Sequence, residues 1–156
     1  MNGQAGEGGW NDVPVRADEA LRTRIGVTGM DAKISLVVID DHAPLRAALR
    51  ERLELRTRFV VVGEAGDGLS GLEIVRRLEP RVALVDFRLP LLRGDEVTRI
   101  IRRRWPAVTV VAMSSSTERD ARHAMLTAGA VAYLMKGDPI DDLESLAFAP
   151  APSTDH

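Results

Sequence analysis

Apolar residues in this chain gather into five short runs separated by amphipathic stretches. Ile34–Asp40 (ISLVVID), Phe59–Val62, Val82–Val85, Val108–Met113 and Val131–Met135 are each almost continuously apolar. Runs that are apolar on both faces are what a parallel sheet buried between two layers requires.

Helical spacing fills the gaps. Leu45, Leu49 and Leu53 repeat every four residues, with Pro44 placed for a first turn. Leu69, Leu72, Val75 and Leu78 form a second stripe that ends before Pro80. Val97, Ile100 and Ile101 form a third, stopped at Trp105-Pro106. Ala121, Ala124, Met125 and Ala128 form a fourth, with Thr117 and Asp120 spaced as a capping box and Gly129 at its end. Asp138-Pro139 opens a fifth, with Ile140, Leu143 and Leu146 on one side and room for about ten residues before Pro150. Five strand–helix units with right-handed crossovers predict an α/β doubly wound sandwich.

The ends of the chain lack this pattern. Residues 1–29 hold six of the 13 glycines and no apolar periodicity. Residues 1–32 are expected to form a flexible arm, 33–148 the folded domain and 149–156 a disordered tail.

Composition narrows the function classes. Apolar residues make up 45% of the 156 and charged residues 28%, an ordinary balance for a soluble domain. The 21 Lys and Arg against 23 Asp and Glu give a net charge of -2, which offers no bulk attraction to nucleic acid or an anionic membrane. The absence of cysteine excludes disulfides, thiolate metal sites and cysteine nucleophiles. No apolar run approaches the length of a membrane span, and no signal peptide is visible. A cytoplasmic protein is expected. Arg102-Arg103-Arg104 reads as a solvated helix end that favours cations rather than as a nucleic-acid patch.

In an open parallel sheet, ligands bind beyond the carboxyl ends of the strands. Asp40-Asp41, Asp86, Ser114-Ser115-Ser116 and Lys136 stand at four of those ends. Each has a plain structural reading: a helix cap for an Asp or Ser, a solvated side chain for a Lys. Together they describe one site if the first and third strands are neighbours. Three carboxylates in one pocket repel, and a divalent cation removes that conflict. A few oxygen ligands with room for water suit Mg²⁺ or Mn²⁺. Metal, ammonium and hydroxyl would hold the three peripheral oxygens of a phosphoryl group, and a carboxylate can be its acceptor.

The sequence resembles the receiver domain of two-component response regulators over about residues 33–148. The resemblance rests on Asp40-Asp41, on Ala65-Gly66-Asp67-Gly68, and on Val85-Asp86-Phe87-Arg88-Leu89-Pro90 with Gly94. It extends through Ala112-Met113-Ser114-Ser115 and Ala128-Gly129-Ala130-Val131-Ala132-Tyr133-Leu134-Met135-Lys136. It implies a flavodoxin-like five-stranded sheet of order 2-1-3-4-5 with helices on both faces. Asp86 would be the phospho-acceptor. Asp41 would ligate Mg²⁺ directly, with Asp40 helping through water and the Arg88 backbone carbonyl adding a ligand. Lys136 and Ser114 would contact phosphoryl oxygens, and Tyr133 would turn inward as Ser114 moves. Arg88 and Ser116 would flank the path of attacking water.

Two departures from the family stand out within the domain. Gly137 replaces the proline that many receivers carry after the lysine, which argues against a cis bond there. The fifth helix is short. The leading expectation is a stand-alone receiver, a phospho-accepting module rather than an enzyme. It would take a phosphoryl group from a histidine kinase or phosphotransfer protein and switch binding of a downstream protein, with phosphorylation-dependent homodimerisation as one output. It would contact neither nucleic acid nor membrane directly. The alternative is the N-terminal half of a DNA-binding regulator. An aspartyl-phosphate phosphatase is disfavoured, because Arg88 stands where its second Asp belongs, and a flavodoxin because Asp40-Asp41 would repel the phosphate of its flavin.

Overall fold

The computed structural model describes residues 32–115 and 119–148. Its strands are β1 (Ile34–Ile39), β2 (Phe59–Ala65), β3 (Val82–Asp86), β4 (Thr109–Ser114) and β5 (Ala132–Met135). They alternate with helices α1 (Ala43–Arg56), α2 (Gly68–Leu78), α3 (Gly94–Arg104), α4 (Arg119–Ala128) and α5 (Leu143–Ala147). Every pairing is parallel, in the order β2-β1-β3-β4-β5. This is the flavodoxin-like fold the resemblance implies. The strand order reverses between β1 and β3, so the crevice above their carboxyl ends is where such a sheet binds ligands.

The continuous apolar runs are explained by two cores, one on each face. Along β1, Val37 and Ile39 pack with Val75 and Leu78 of α2, Val97 and Ile101 of α3, and Met125 of α4. Leu36 and Val38 pack on the other face with Leu49 and Leu53 of α1 and Leu143 and Ala147 of α5. Burying one such side chain contributes about 1.5–3 kcal/mol. A strand flanked by helices on both sides therefore gains from apolar residues at every position, and β1 is buried along its whole length. β2 alternates buried and half-buried positions, as an edge strand does.

Three sequence expectations are corrected. β2 runs three residues past Val62, with the register against β1 shifting between Leu36 and Val37. On α2, Leu69 is 53% exposed. Gly71 faces the sheet in its place, close enough that a Cβ would stand 2.7 Å from Ile39. α5 starts at Leu143 rather than at Asp138 and has only five residues. Ile140 and Leu143 are buried, but Leu146 is exposed, and Ala147 completes the inner face instead.

Trp105 packs against the core, and Arg102 donates to the carbonyls of Pro106 and Val108 just past the end of α3. The basic run is thus a helix terminus, as the sequence suggests. Ala32, the last residue of the expected arm, is buried, and its carbonyl accepts from Arg58. The rest of that arm, the tail, Ser116 and Thr117 lie outside the described residues. No helix among the described residues is long and apolar enough to cross a membrane.

Candidate functional site

Each acid reaches the site because a strand ends there. Asp40 follows β1 and is fully buried; its N–H donates to the Ala65 carbonyl and its Oδ1 accepts from the His42 N–H at 2.8 Å. Asp41, next in the chain, is exposed. Asp86 ends β3, 3% exposed. One carboxylate oxygen from each of the three lies within 4.8 Å of the others. Gly94 makes this packing possible, because a Cβ there would sit 2.1 Å from the Asp86 carbonyl oxygen.

Lys136, just past β5, projects into the cluster. Its Nζ is 3.1 Å from Asp86 Oδ2 and 2.7 Å from Asp40 Oδ2. Asp40 Oδ2 is fully buried, and the Lys136 ammonium is its charge partner. The Lys136 N–H donates to the Ser114 carbonyl, which carries the β4–β5 ladder one residue further. Gly137 follows at φ 99°, a left-handed turn that suits glycine. Asp138 closes the turn by accepting from the Met135 N–H at 2.9 Å. No peptide bond among the described residues is cis.

Burial, and then the charge of Asp40, push the Asp86 carboxyl above its ordinary value, against the pull of Lys136 and the Arg88 N–H. Burial works against the Lys136 ammonium too, but its contacts with Asp40 and Asp86 outweigh it, and the net shift is upward. Lys136 therefore stays charged and offsets one of three negative charges. Three crowded carboxylates, two of them buried, form an all-oxygen donor set that fits a divalent cation such as Mg²⁺.

The other expected site residues are placed as follows. Ser114 ends β4 and is buried. Tyr133, on β5, is half-buried against the α2–α3–α4 core, and the Arg122 guanidinium of α4 lies 5.8 Å from its ring centroid. Arg88 is exposed, with its guanidinium 5.9 Å from the Phe87 ring.

Several contacts at the site were not legible in the sequence. Arg46 of α1 donates to the Asp40 carbonyl at 2.5 Å and to Glu64 of β2 at 3.1 Å. Arg93 pairs with buried Asp95 at 2.6 Å, holding that carboxyl below its ordinary value, and lies over the Phe87 ring.

A family model described as the response regulator receiver domain matches residues 36–147. The chain is 34% identical over 111 residues to the transcriptional regulatory protein DegU of Brevibacillus brevis, covering 71% of this chain and 47% of that one. It is 34% identical over 110 residues to the response regulator GacA of Pseudomonas protegens, covering 70% and 52%. It is also 33% identical over 109 residues to the protein-glutamate methylesterase/protein-glutamine glutaminase of Pyrococcus horikoshii, covering 69% and 29%. The chain thus spans about half, or less, of the length of these curated relatives. Among solved structures, the signal receiver domain of NarL from Mycobacterium tuberculosis superposes with a TM-score of 0.71 at 30% identity, over 76% of this chain and 98% of that one. The response regulator domain of Thermotoga maritima CheB gives 0.66 at 29% identity, over 77% and 99%.

Proposed function

The chain belongs to the response regulator receiver domain family of two-component systems, and from that premise we propose that Asp86 accepts a phosphoryl group from the phosphohistidine of a sensor kinase or phosphotransfer protein. The convergence of Asp40, Asp41, Asp86 and Lys136 carries this reading. An Asp86 carboxylate oxygen bonds to phosphorus as the phosphorus–nitrogen bond breaks. The electron pair leaves with the imidazole, and an acyl phosphate remains. Hydrolysis later returns the carboxylate and inorganic phosphate.

Asp41, Asp86 and the Arg88 carbonyl, assisted by Asp40, would hold a divalent cation, Mg²⁺ or Mn²⁺, which would supply charge neutralisation at the phosphoryl oxygens. Lys136 transfers its hydrogen bond from Asp86 to one phosphoryl oxygen. Ser114 gains a charge-assisted hydrogen bond to another, available only in the modified state. Its shift vacates space for Tyr133, which biases the surface of α4, β5 and α5 between two states.

The reading makes the chain a cytoplasmic signalling module with no substrate turnover beyond its own phosphoryl group. The readout is a downstream protein or a second phosphorylated copy, with no direct nucleic-acid or membrane contact. A second reading, the receiver portion of a longer DNA-binding regulator, is favoured by coverage of about half of DegU and GacA. The coding sequence around this stretch decides between them. The phosphoryl chemistry is tested by incubation with acetyl phosphate and Mg²⁺, followed by intact mass. One phosphoryl group should be gained, and a chelator should prevent the gain. No gain at any Mg²⁺ concentration would overturn the proposal.

A further inference from the structure

We infer that Glu64, acting through Arg46, is a positioning residue for the divalent-cation site; this rests on the reading of the acid cluster given above. Asp40 and Asp41 leave β1 on a turn, and Asp40 is the hinge of that turn. Its N–H is fixed by the Ala65 carbonyl, and its own carbonyl is fixed by Arg46 Nη1 at 2.5 Å. Arg46 is in turn held by Glu64, whose Oε1 accepts from Arg46 Nε at 3.1 Å and whose Oε2 accepts from Arg50 Nε at 2.8 Å. Glu64 is registered against Val38 in the sheet, so its backbone is rigid. Side-chain exposures of 19% for Arg46 and 25% for Glu64 make this a sheltered pair rather than a screened surface one.

The arrangement settles a conflict. A guanidinium bonded to the Asp40 carbonyl, beside the acid cluster, is a natural competitor for the cation. Glu64 absorbs its charge and directs Nη1 to a backbone carbonyl, leaving the three carboxylates to the metal. Groups behind the ligands that fix their orientation commonly change metal affinity by about 10–100-fold when removed.

Two effects of Arg46 have opposite signs, and this makes the inference testable. As a nearby positive charge it repels a cation, so its removal through space tightens Mg²⁺ binding. As the anchor of Asp40 it orders the ligands, so its removal weakens binding. The experiment is Mg²⁺ titration calorimetry on the full chain, with urea unfolding to establish that each variant folds. Arg46→Ala should weaken Mg²⁺ affinity roughly tenfold. Arg46→Lys keeps the charge but cannot span both contacts, and should weaken it as well. Glu64→Gln should weaken it, and the Glu64→Gln/Arg46→Ala double variant should match Arg46→Ala alone, since Glu64 acts through Arg46. Unchanged or tighter binding in both Arg46 variants, or additive losses in the double variant, would overturn the inference. Acetyl phosphate labelling of the unaltered chain at saturating Mg²⁺ keeps the two claims apart. Absence of labelling defeats the phosphoryl reading, whereas labelling with unchanged Arg46 variants defeats only this one.

Discussion

Lys136 and Asp86, 50 positions apart in the chain, meet across 3.1 Å between Nζ and Oδ2. The same ammonium lies 2.7 Å from Asp40 Oδ2, so one cation separates two buried acids. Its removal leaves like charges facing each other out of water, which costs far more than losing a surface ion pair. Lys136→Met, which keeps the aliphatic stem, should lower stability without Mg²⁺ by about 3 kcal/mol. Mg²⁺ should then raise the melting temperature more in the variant than in the unaltered chain, because binding to the folded state alone stabilises by mass action. Calorimetric melting with and without Mg²⁺ checks this. Equal stability of the two proteins in chelator would contradict it.

Gly94 ties the backbone of α3 to the end of β3. A methyl group there meets the Asp86 carbonyl at 2.1 Å and the Phe87 Cα at 2.7 Å. Both are backbone atoms, so neither can rotate away. Gly94→Ala should cost about 1–3 kcal/mol by overpacking, read by urea unfolding. A cost below the error of that measurement would mean the turn relaxes freely.

The strands and the acid cluster were legible because a buried parallel sheet leaves an unmistakable apolar run and because acids at its ends have few structural reasons to coincide. The helix faces were less so. Leu69 completes a helical stripe in the sequence yet is exposed, since the stripe assumes every apolar residue points inward and takes no account of Gly71 against Ile39. Asp138-Pro139 has the form of a helix N-terminus, but Asp138 closes the turn after Lys136 and α5 starts only at Leu143. The pairing of Arg46 with Glu64 depends on the packing of α1 against β2, which no local spacing reveals.

α5 is short, and its anchorage includes the ion pair of Glu144 with Arg58, which precedes β2. Hydrogen bonding to Arg58 holds the Glu144 carboxyl below its ordinary value of 4.5. A carboxyl depressed on folding contributes stability above its unfolded value, and that contribution is lost as pH falls through the folded one. With both side chains more than a third exposed, the contribution at neutral pH is only about 0.3–1 kcal/mol. Glu144→Gln should therefore be less stable than the unaltered chain at neutral pH, and the gap should close as the pH falls well below 4.5. A gap that persists at acid pH would show that the contact is not ionic in origin.

Arg88 follows Asp86, the proposed acceptor, by two positions and is exposed beside Phe87. A long cation at this position can swing over a phosphoryl group and pair with its oxygens. Arg88→Ala keeps the backbone carbonyl and removes the cover, so phosphoryl loss should accelerate several-fold under matched Mg²⁺. An unchanged or slower rate would mean that the side chain does not shield the bond.

The identity of the phosphoryl acceptor is the claim on which the rest depends, and the acyl phosphate itself can report it. After labelling with acetyl phosphate and Mg²⁺, borohydride reduction converts a phosphorylated aspartate to homoserine, which peptide mass spectrometry locates. The account predicts homoserine at position 86 alone and no labelling of Asp86→Asn. Homoserine at another position in the unaltered chain, or full labelling of Asp86→Asn, would contradict it.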